Sequence, residues 1–143
     1  MHNCRESPYT GYVKVLLVQP PVEDFYDTPV RTYPLGLACI AGKIKDACDV
    51  SILDCRTGYK GRAVKYDFPE LGAFYRNDRR TPFSLFSRYS RYGMNEKEIS
   101  DTIEKECPDV IGISSCFAAY SREALQIAAI AKRVGPHIIT VMG

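Results

Sequence analysis

Two segments of the chain show the same order of apolar and polar positions. In the first, an apolar run at residues 14–19 precedes a loop, a stretch of apolar residues at helical spacing near 34–44, and a second apolar run at 50–53. In the second, strands are predicted at 110–114 and 137–142, on either side of a helix that begins at Tyr120 or Ser121. Two strand–helix–strand units predict an α/β fold with a parallel sheet and helices on both faces.

One further helix and a long insertion lie between these units. Asn95, followed three residues later by Glu98, predicts a helix start with a capping box, and Ile99 and Ile103 form the buried stripe of that helix. Residues 55–93 far exceed the about 4–6 residues of an ordinary connection, and their many aromatic residues argue against disorder. We expect an ordered insert with a short helix near residues 84–90, acting as a lid or docking surface.

The predicted strands correspond to a flavodoxin-like, doubly wound sheet of spatial order 2-1-3-4-5, which here lacks its usual fifth strand. We therefore expect a fragment, truncated after the fourth strand, in which residues 1–12 are an extension and residues 13–143 form the domain. The fourth strand would be an exposed edge, through which a dimer could form. The helix after Tyr120 is expected to carry two neighbouring stripes. Leu125, Ala128, Ala129 and Lys132 lie on or near one, and beside it lie Ile127, Ile130, Ala131 and Val134.

Composition narrows the class of protein. The chain has 143 residues, of which 45% are hydrophobic and 25% charged, as expected of one soluble domain. No apolar run is long enough to span a membrane, and the polar start lacks a secretory signal, so a cytoplasmic protein is expected. The net charge is only +2, but the insert 55–93 holds nine basic and three acidic residues, which can indicate an anionic partner.

Several kinds of chemistry have no signal in this sequence. There is neither a G-x-G-x-x-G dinucleotide motif nor a G-x-x-x-x-G-K-[ST] phosphate loop. The six cysteines form no C-x-x-C pair, and His2 and His137 are isolated, so we expect neither a metal site nor a Ser–His–acid triad. Ser114 and Ser115 stand where a phospho-receiver domain would need an aspartate.

The candidate site lies in the loops that follow the first and third strands, residues 20–33 and 114–120, because ligands of such sheets bind at the carboxyl ends of the strands. Ser114 and Ser115 can hydrogen-bond a polar ligand; alternatively they cap the next helix or close a turn. Residues 33–36 form a helix start that favours an anion, although a helix start without a ligand fits equally well. Glu23, Asp24 and Asp27 are either carboxylate ligands or solvated side chains. Gly112 indicates close approach by a ligand or plain packing.

The sequence resembles the N-terminal cobalamin-binding domain of radical S-adenosylmethionine enzymes. Its nearest named relatives would be the magnesium-protoporphyrin IX monomethyl ester oxidative cyclases, often called Fe–S oxidoreductases. The resemblance rests on the order and spacing of V-L-L-V-Q-P-P at 15–21, Y-P-L-G-L-A-C-I-A-G at 33–42, D-V-S-I-L-D at 49–54, Y-G-M-N-E-K-E-I at 92–99, P-D-V-I-G-I-S-S at 108–115 and the terminal V-M-G.

This resemblance implies that cobalamin binds over the carboxyl edge of the sheet. Ser114 and Ser115 would contact its nucleotide tail, Pro20, Tyr33 and Leu35 would line the corrin side, and Gly143 would begin a glycine turn. The full set of cofactor-binding residues expected is Gln19, Pro20, Tyr33, Leu35, Gly36, Ser114, Ser115, Cys116, Tyr120 and Gly143. One departure is that residues 24–29 contain neither the His nor the Gly of the D-x-H-x-x-G motif that ligates cobalt in methionine-synthase-type domains.

Three hypotheses follow. In the first, the chain is the cobalamin module of a radical S-adenosylmethionine enzyme that performs methyl transfer or anaerobic oxidative cyclisation. S-adenosylmethionine and a 4Fe–4S cluster would then belong to a C-terminal barrel, so the fragment would not be catalytic alone. In the second, the domain has lost the cofactor and serves as a docking or regulatory surface for that barrel. The third, ranked below these, is nucleic-acid binding by the Arg- and Tyr-rich insert.

Overall fold

The main sheet has the strand order that the sequence predicts. A computed structural model describes residues 13–25, 33–56, 58, 60–64, 89–115 and 117–143. The main sheet consists of four parallel strands in the spatial order β3-β1-β6-β7, namely β1 (Lys14–Gln19), β3 (Asp49–Asp54), β6 (Val110–Ile113) and β7 (Ile139–Met142). Together with its flanking helices, this sheet confirms the flavodoxin-like α/β fold.

The strand register separates the two faces of the sheet. Val18 lies opposite Leu53 in β3 and Ile113 in β6, whereas Leu17 lies opposite Ile52 and Gly112. Side chains at paired positions of parallel strands point to the same face. The first face forms the main core with the helices α2 (Glu96–Glu106) and α3 (Ser121–Val134), and α1 (Leu35–Ile44) packs on β1 and β3.

Gly112 on β6 serves close packing. A Cβ atom at this position would lie 2.8 Å from Cδ2 of Leu17 on the neighbouring strand β1. Even the smallest side chain would therefore force Leu17 to move. The structure supports the packing interpretation of this glycine.

Helix α2 begins with the predicted capping box. The backbone N–H of Glu98 donates to Oδ1 of Asn95 at 2.9 Å, and the N–H of Asn95 donates to Oε2 of Glu98 at 2.7 Å. Ile99 and Ile103 are fully buried, as predicted. The helix ends at Cys107, which takes a left-handed conformation with φ of 46° immediately before Pro108.

Helix α3 buries one of its two predicted stripes. Its buried residues are Glu123, Ala124, Ile127, Ile130 and Ala131, whereas Leu125 is exposed. The buried stripe is therefore the one that carries Ile127, Ile130 and Ala131, not the one that carries Leu125. A helix this rich in apolar residues offers two adjacent stripes, and contact with the sheet decides which of them is buried.

A second, small sheet was not predicted. Its strands β2 (Val22–Asp24), β5 (Ser90–Tyr92) and β4 (Arg62–Ala63) are antiparallel and lie in the order β2-β5-β4. Ser90 therefore begins a strand, so the prediction of a helix near residues 84–90 is wrong at Ser90. Residues 84–88 lie outside the described part of the chain. A strand of three residues is too short to show an alternation of apolar and polar positions in the sequence. In addition, β5, the strand that pairs with β2, lies far from it along the chain.

Strand β7 lies at the edge of the main sheet, with Ile139 and Val141 exposed on one face. Dimer formation through this edge stays a prediction. Over the residues that the structure describes, no helix has both the length and the apolar character needed to cross a membrane.

Candidate functional site

The carboxyl ends of the four parallel strands meet at one side of the main sheet, which we call the carboxyl edge. The N–H of Ser114 donates to the carbonyl of Val18 at 3.0 Å, and the N–H of Gly143 donates to that of Ile113 at 3.1 Å. The N–H of Ser115 then donates to the Gly143 carbonyl at 2.6 Å. The fold thus brings the predicted site residues Gln19, Ser114, Ser115 and Gly143 together.

The start of helix α1 adds unused hydrogen-bond donors to this edge. Its N-cap residue is Pro34, and no side chain caps the first turn. Among the described residues, the backbone N–H groups of Gly36 and Leu37 find no acceptor. Tyr33 and Leu35 are exposed beside them. The predicted site residues of this segment therefore combine apolar side chains with free amide donors.

The loop after β6 contributes one exposed and one engaged aromatic residue. Phe117 is exposed, whereas the hydroxyl of Tyr120 donates to Oδ2 of Asp24 at 2.7 Å. This hydrogen bond, with burial and the charge of Asp24, raises the pKa of Tyr120 to about 12. Tyr120 thus links the two loops that border the candidate site. Cys116, which was also predicted to bind the cofactor, lies outside the described residues.

Pro20 lies below the surface of the edge. Its ring is buried, and its carbonyl accepts a 2.9 Å hydrogen bond from Nε of Arg56. The N–H of Arg56 in turn donates to Oδ1 of Asp54 at the end of β3. Arg56, which belongs to no motif, therefore places a positive charge beside the first ligand loop. The corrin-lining role of Pro20 stays a prediction.

A buried polar cluster connects the small sheet to helix α3; we define it as Glu23, Tyr89, Arg91, Glu123 and Gln126. Nη1 of Arg91 lies 2.8 Å from Oε1 of Glu23 and 3.3 Å from Oε1 of Gln126. Its Nε and Nη2 both donate to the carbonyl of Met94, at 3.1 and 3.0 Å. Arg91 thereby joins β2, β5, the start of α2 and α3.

Glu123 is the unusual member of this cluster. The residue is only 3% exposed, and its Oε2 atom has no hydrogen-bond partner among the described residues. Burial raises the pKa of its carboxyl, and the nearby charge of Glu23 raises it further. Burial together with Glu23 and Glu123 also raises the pKa of Tyr89 to about 12.

Most of this cluster has no local signal in the sequence. Glu23 is neither of the two things predicted for it, a carboxylate ligand or a solvated side chain, but the ion-pair partner of Arg91. Glu123 gave no signal, because an acidic residue in the first turn is ordinary in a helix. Arg91 was counted only as part of the basic insert.

Histidine ligation of a metal finds no support at the carboxyl edge. His137 is exposed in the turn between α3 and β7, at the opposite end of the parallel sheet. The described residues contain no group of three or more His, Cys, Asp or Glu side chains arranged to hold a metal ion.

Comparison with known proteins shows that the chain is similar to part of a methyltransferase. The chain is 32% identical over 136 residues to the cytidylyl-2-hydroxyethylphosphonate methyltransferase of Streptomyces wedmorensis. The match covers 92% of this chain. It covers 22% of the relative, so the chain spans about a fifth of that protein's length. No protein-family model matches the chain.

Proposed function

We propose that this chain is the cobalamin-binding module of a radical S-adenosylmethionine methyltransferase. The observation that carries the proposal is the convergence of both motif loops, residues 33–36 and 114–115, at one edge of a flavodoxin-like sheet. The similarity to a methyltransferase favours methyl transfer over oxidative cyclisation.

The residues at the carboxyl edge fit a cofactor with a flat apolar ring and a polar rim. Tyr33, Leu35 and Phe117 offer exposed apolar area to such a ring. The N–H groups of Gly36 and Leu37 are free to donate to rim carbonyls or to a phosphate. The hydroxyl of Ser115 makes no hydrogen bond to the described residues and is available to the nucleotide tail.

In this proposal the protein binds and orients, and the cofactor supplies a cobalt centre able to carry a methyl group. Among the described residues, Tyr33, Leu35 and Ser115 at the carboxyl edge would hold the cofactor, and none of the residues described there is a histidine. S-adenosylmethionine and a 4Fe–4S cluster would belong to a barrel elsewhere in a longer polypeptide.

Titration with hydroxocobalamin tests the proposal, with the visible spectrum and the melting temperature followed together. At a hundredfold excess over Kd, binding stabilises the folded state by about 2.7 kcal/mol. For a domain of this size that corresponds to a shift in Tm of roughly 5–15 °C. A saturable shift supports the proposal, and the absence of both changes overturns it for this chain.

A matched pair of variants locates the site. Ser115→Ala removes one hydrogen bond to the cofactor and should weaken binding roughly 3- to 10-fold. Ser51→Ala, an exposed change in the middle of β3, should leave Kd unchanged. Equal effects of the two changes would place the cofactor elsewhere.

The second candidate is a domain without cofactor that docks a catalytic barrel. The observation that favours it is the hydrogen bond from the hydroxyl of Tyr120 to Asp24. Asp24 is the first residue of the segment that corresponds to D-x-H-x-x-G but lacks its His and Gly. This function predicts no hydroxocobalamin shift but retained association with the barrel in a pull-down. Deletion of residues 60–90 should abolish that association.

A further inference from the structure

The buried polar cluster contains one more carboxyl than its arginine neutralises. The guanidinium of Arg91 directs its hydrogen bonds to Glu23, Gln126 and the carbonyl of Met94, and none reaches Glu123 in the described structure. Among the described residues, backbone N–H groups of Glu23 and Glu123 hydrogen-bond the Glu123 carboxyl, but its buried Oε2 has no partner. Ionising a buried carboxyl that has no ion-pair partner is costly. The neutral acid is therefore the form of Glu123 that this packing accommodates.

The groups around Glu123 come from four elements. Burial is the largest influence on its pKa and raises it, and the Glu23 carboxylate acts in the same direction. The backbone N–H groups of Glu23 and Glu123 and the Arg122 side chain act in the opposite direction but do not outweigh burial. The titratable and charged groups that interact with Glu123 are Glu23 on β2, Tyr89 directly before β5, Tyr120 in the 3₁₀ turn (Ala118–Tyr120), and Arg122 on α3. Arg91 on β5 hydrogen-bonds Glu23 and Gln126.

A change in the charge of Glu123 would affect both ligand loops, residues 20–33 and 114–120. It lies in the first turn of α3, against strand β2 of the small sheet. Strand β2 begins two residues after Pro20, and its last residue, Asp24, holds Tyr120. Strands β2 and β5 pair over only three residues each, so few backbone hydrogen bonds resist displacement of the small sheet.

We propose that Glu123 is a pH-sensitive contact, which holds the small sheet against α3 as the neutral acid and loosens that sheet when it ionises. The folded state keeps the Glu123 proton more tightly than the unfolded state does. The stability contributed by this group is therefore complete below the ordinary carboxyl pKa of 4.5 and is lost as pH rises through the raised value.

Amide hydrogen exchange of the whole chain between pH 5 and 9 tests this proposal. In the wild type, protection factors of the Val22–Asp24 and Ser90–Tyr92 amides should fall severalfold with rising pH, because the ionised form of Glu123 loosens the small sheet. In Glu123→Gln, which cannot ionise, they should stay constant. Amides of β1 and β6 serve as the internal reference for global unfolding.

Two further variants keep the outcome decisive. Glu123→Leu also removes the charge but introduces no amide group. If Glu123→Gln folds poorly, this variant replaces it and should show protection factors that stay constant with pH. Glu106→Gln removes an exposed carboxyl from the end of α2 and should keep the wild-type profile. The proposal is wrong if wild type and the Glu123 variants share one pH dependence, or if β1 and β6 lose protection equally. No cofactor is involved, so the result is independent of the hydroxocobalamin titration.

Discussion

Replacing Arg91 with methionine tests what holds the small sheet in place. Methionine keeps much of the arginine's apolar length but removes all of its hydrogen bonds. The change leaves the Glu23 carboxylate without its ion-pair partner, since Oε1 of Glu23 lies 2.8 Å from Nη1 of Arg91. It also leaves the Met94 carbonyl, at the start of α2, without two donors.

The expected loss follows from burial. The side chains of Arg91 and Glu23 are only 10% and 16% exposed. Breaking a buried ion pair by removing one partner costs about 3–5 kcal/mol, because the other charge stays buried and unpaired. Since both groups retain some contact with solvent, we expect about 3 kcal/mol, measured by urea unfolding with far-UV circular dichroism. The corresponding fall in Tm is roughly 6–12 °C.

Arg133 provides a control of the same residue type. Its Nη2 lies 3.0 Å from Oε2 of Glu96, a similar distance, but these side chains are 62% and 54% exposed. Solvent screens such a pair, so Arg133→Met should cost less than about 1 kcal/mol. Equal losses for the two arginines would refute the argument from burial. Glu23→Gln combined with Arg91→Met should recover part of the loss, because the stranded charge is gone.

Two further predictions concern Cys55 and Gly93. Burial raises the pKa of Cys55 to about 12, so iodoacetamide at pH 8 should alkylate exposed Cys39 well before Cys55, as read by mass spectrometry; equal rates would contradict the burial of Cys55. Gly93 has φ of +131°, and a Cβ there would lie 2.7 Å from Cβ of Pro21, so Gly93→Ala should lower the urea midpoint. Gly36→Ala, in open space on α1, should leave the midpoint unchanged or raise it.

The main sheet could be predicted because its signals are local. Strand β1 coincides with the predicted run, and the capping box at Asn95 fixes the start of α2 within a few residues of sequence. The handedness of the connections then leaves few possible strand orders. The edge carrying Ser114 and Ser115 follows from that topology, since parallel strands end on the same side.

The sequence by itself therefore determined the fold class, the strand order and the edge at which the parallel strands end together. Only the tertiary structure decided which stripe of α3 is buried, and that β2 pairs with β5. It also revealed that Arg91 and Glu23 form a buried pair, while Oε2 of Glu123 finds no partner within the part of the chain that the structure describes. Apolar periodicity and helix caps can be predicted because they depend on residues close together in the sequence. The pairing of Glu23 with Arg91 cannot be predicted in this way, because these residues are 68 positions apart and only folding brings them together.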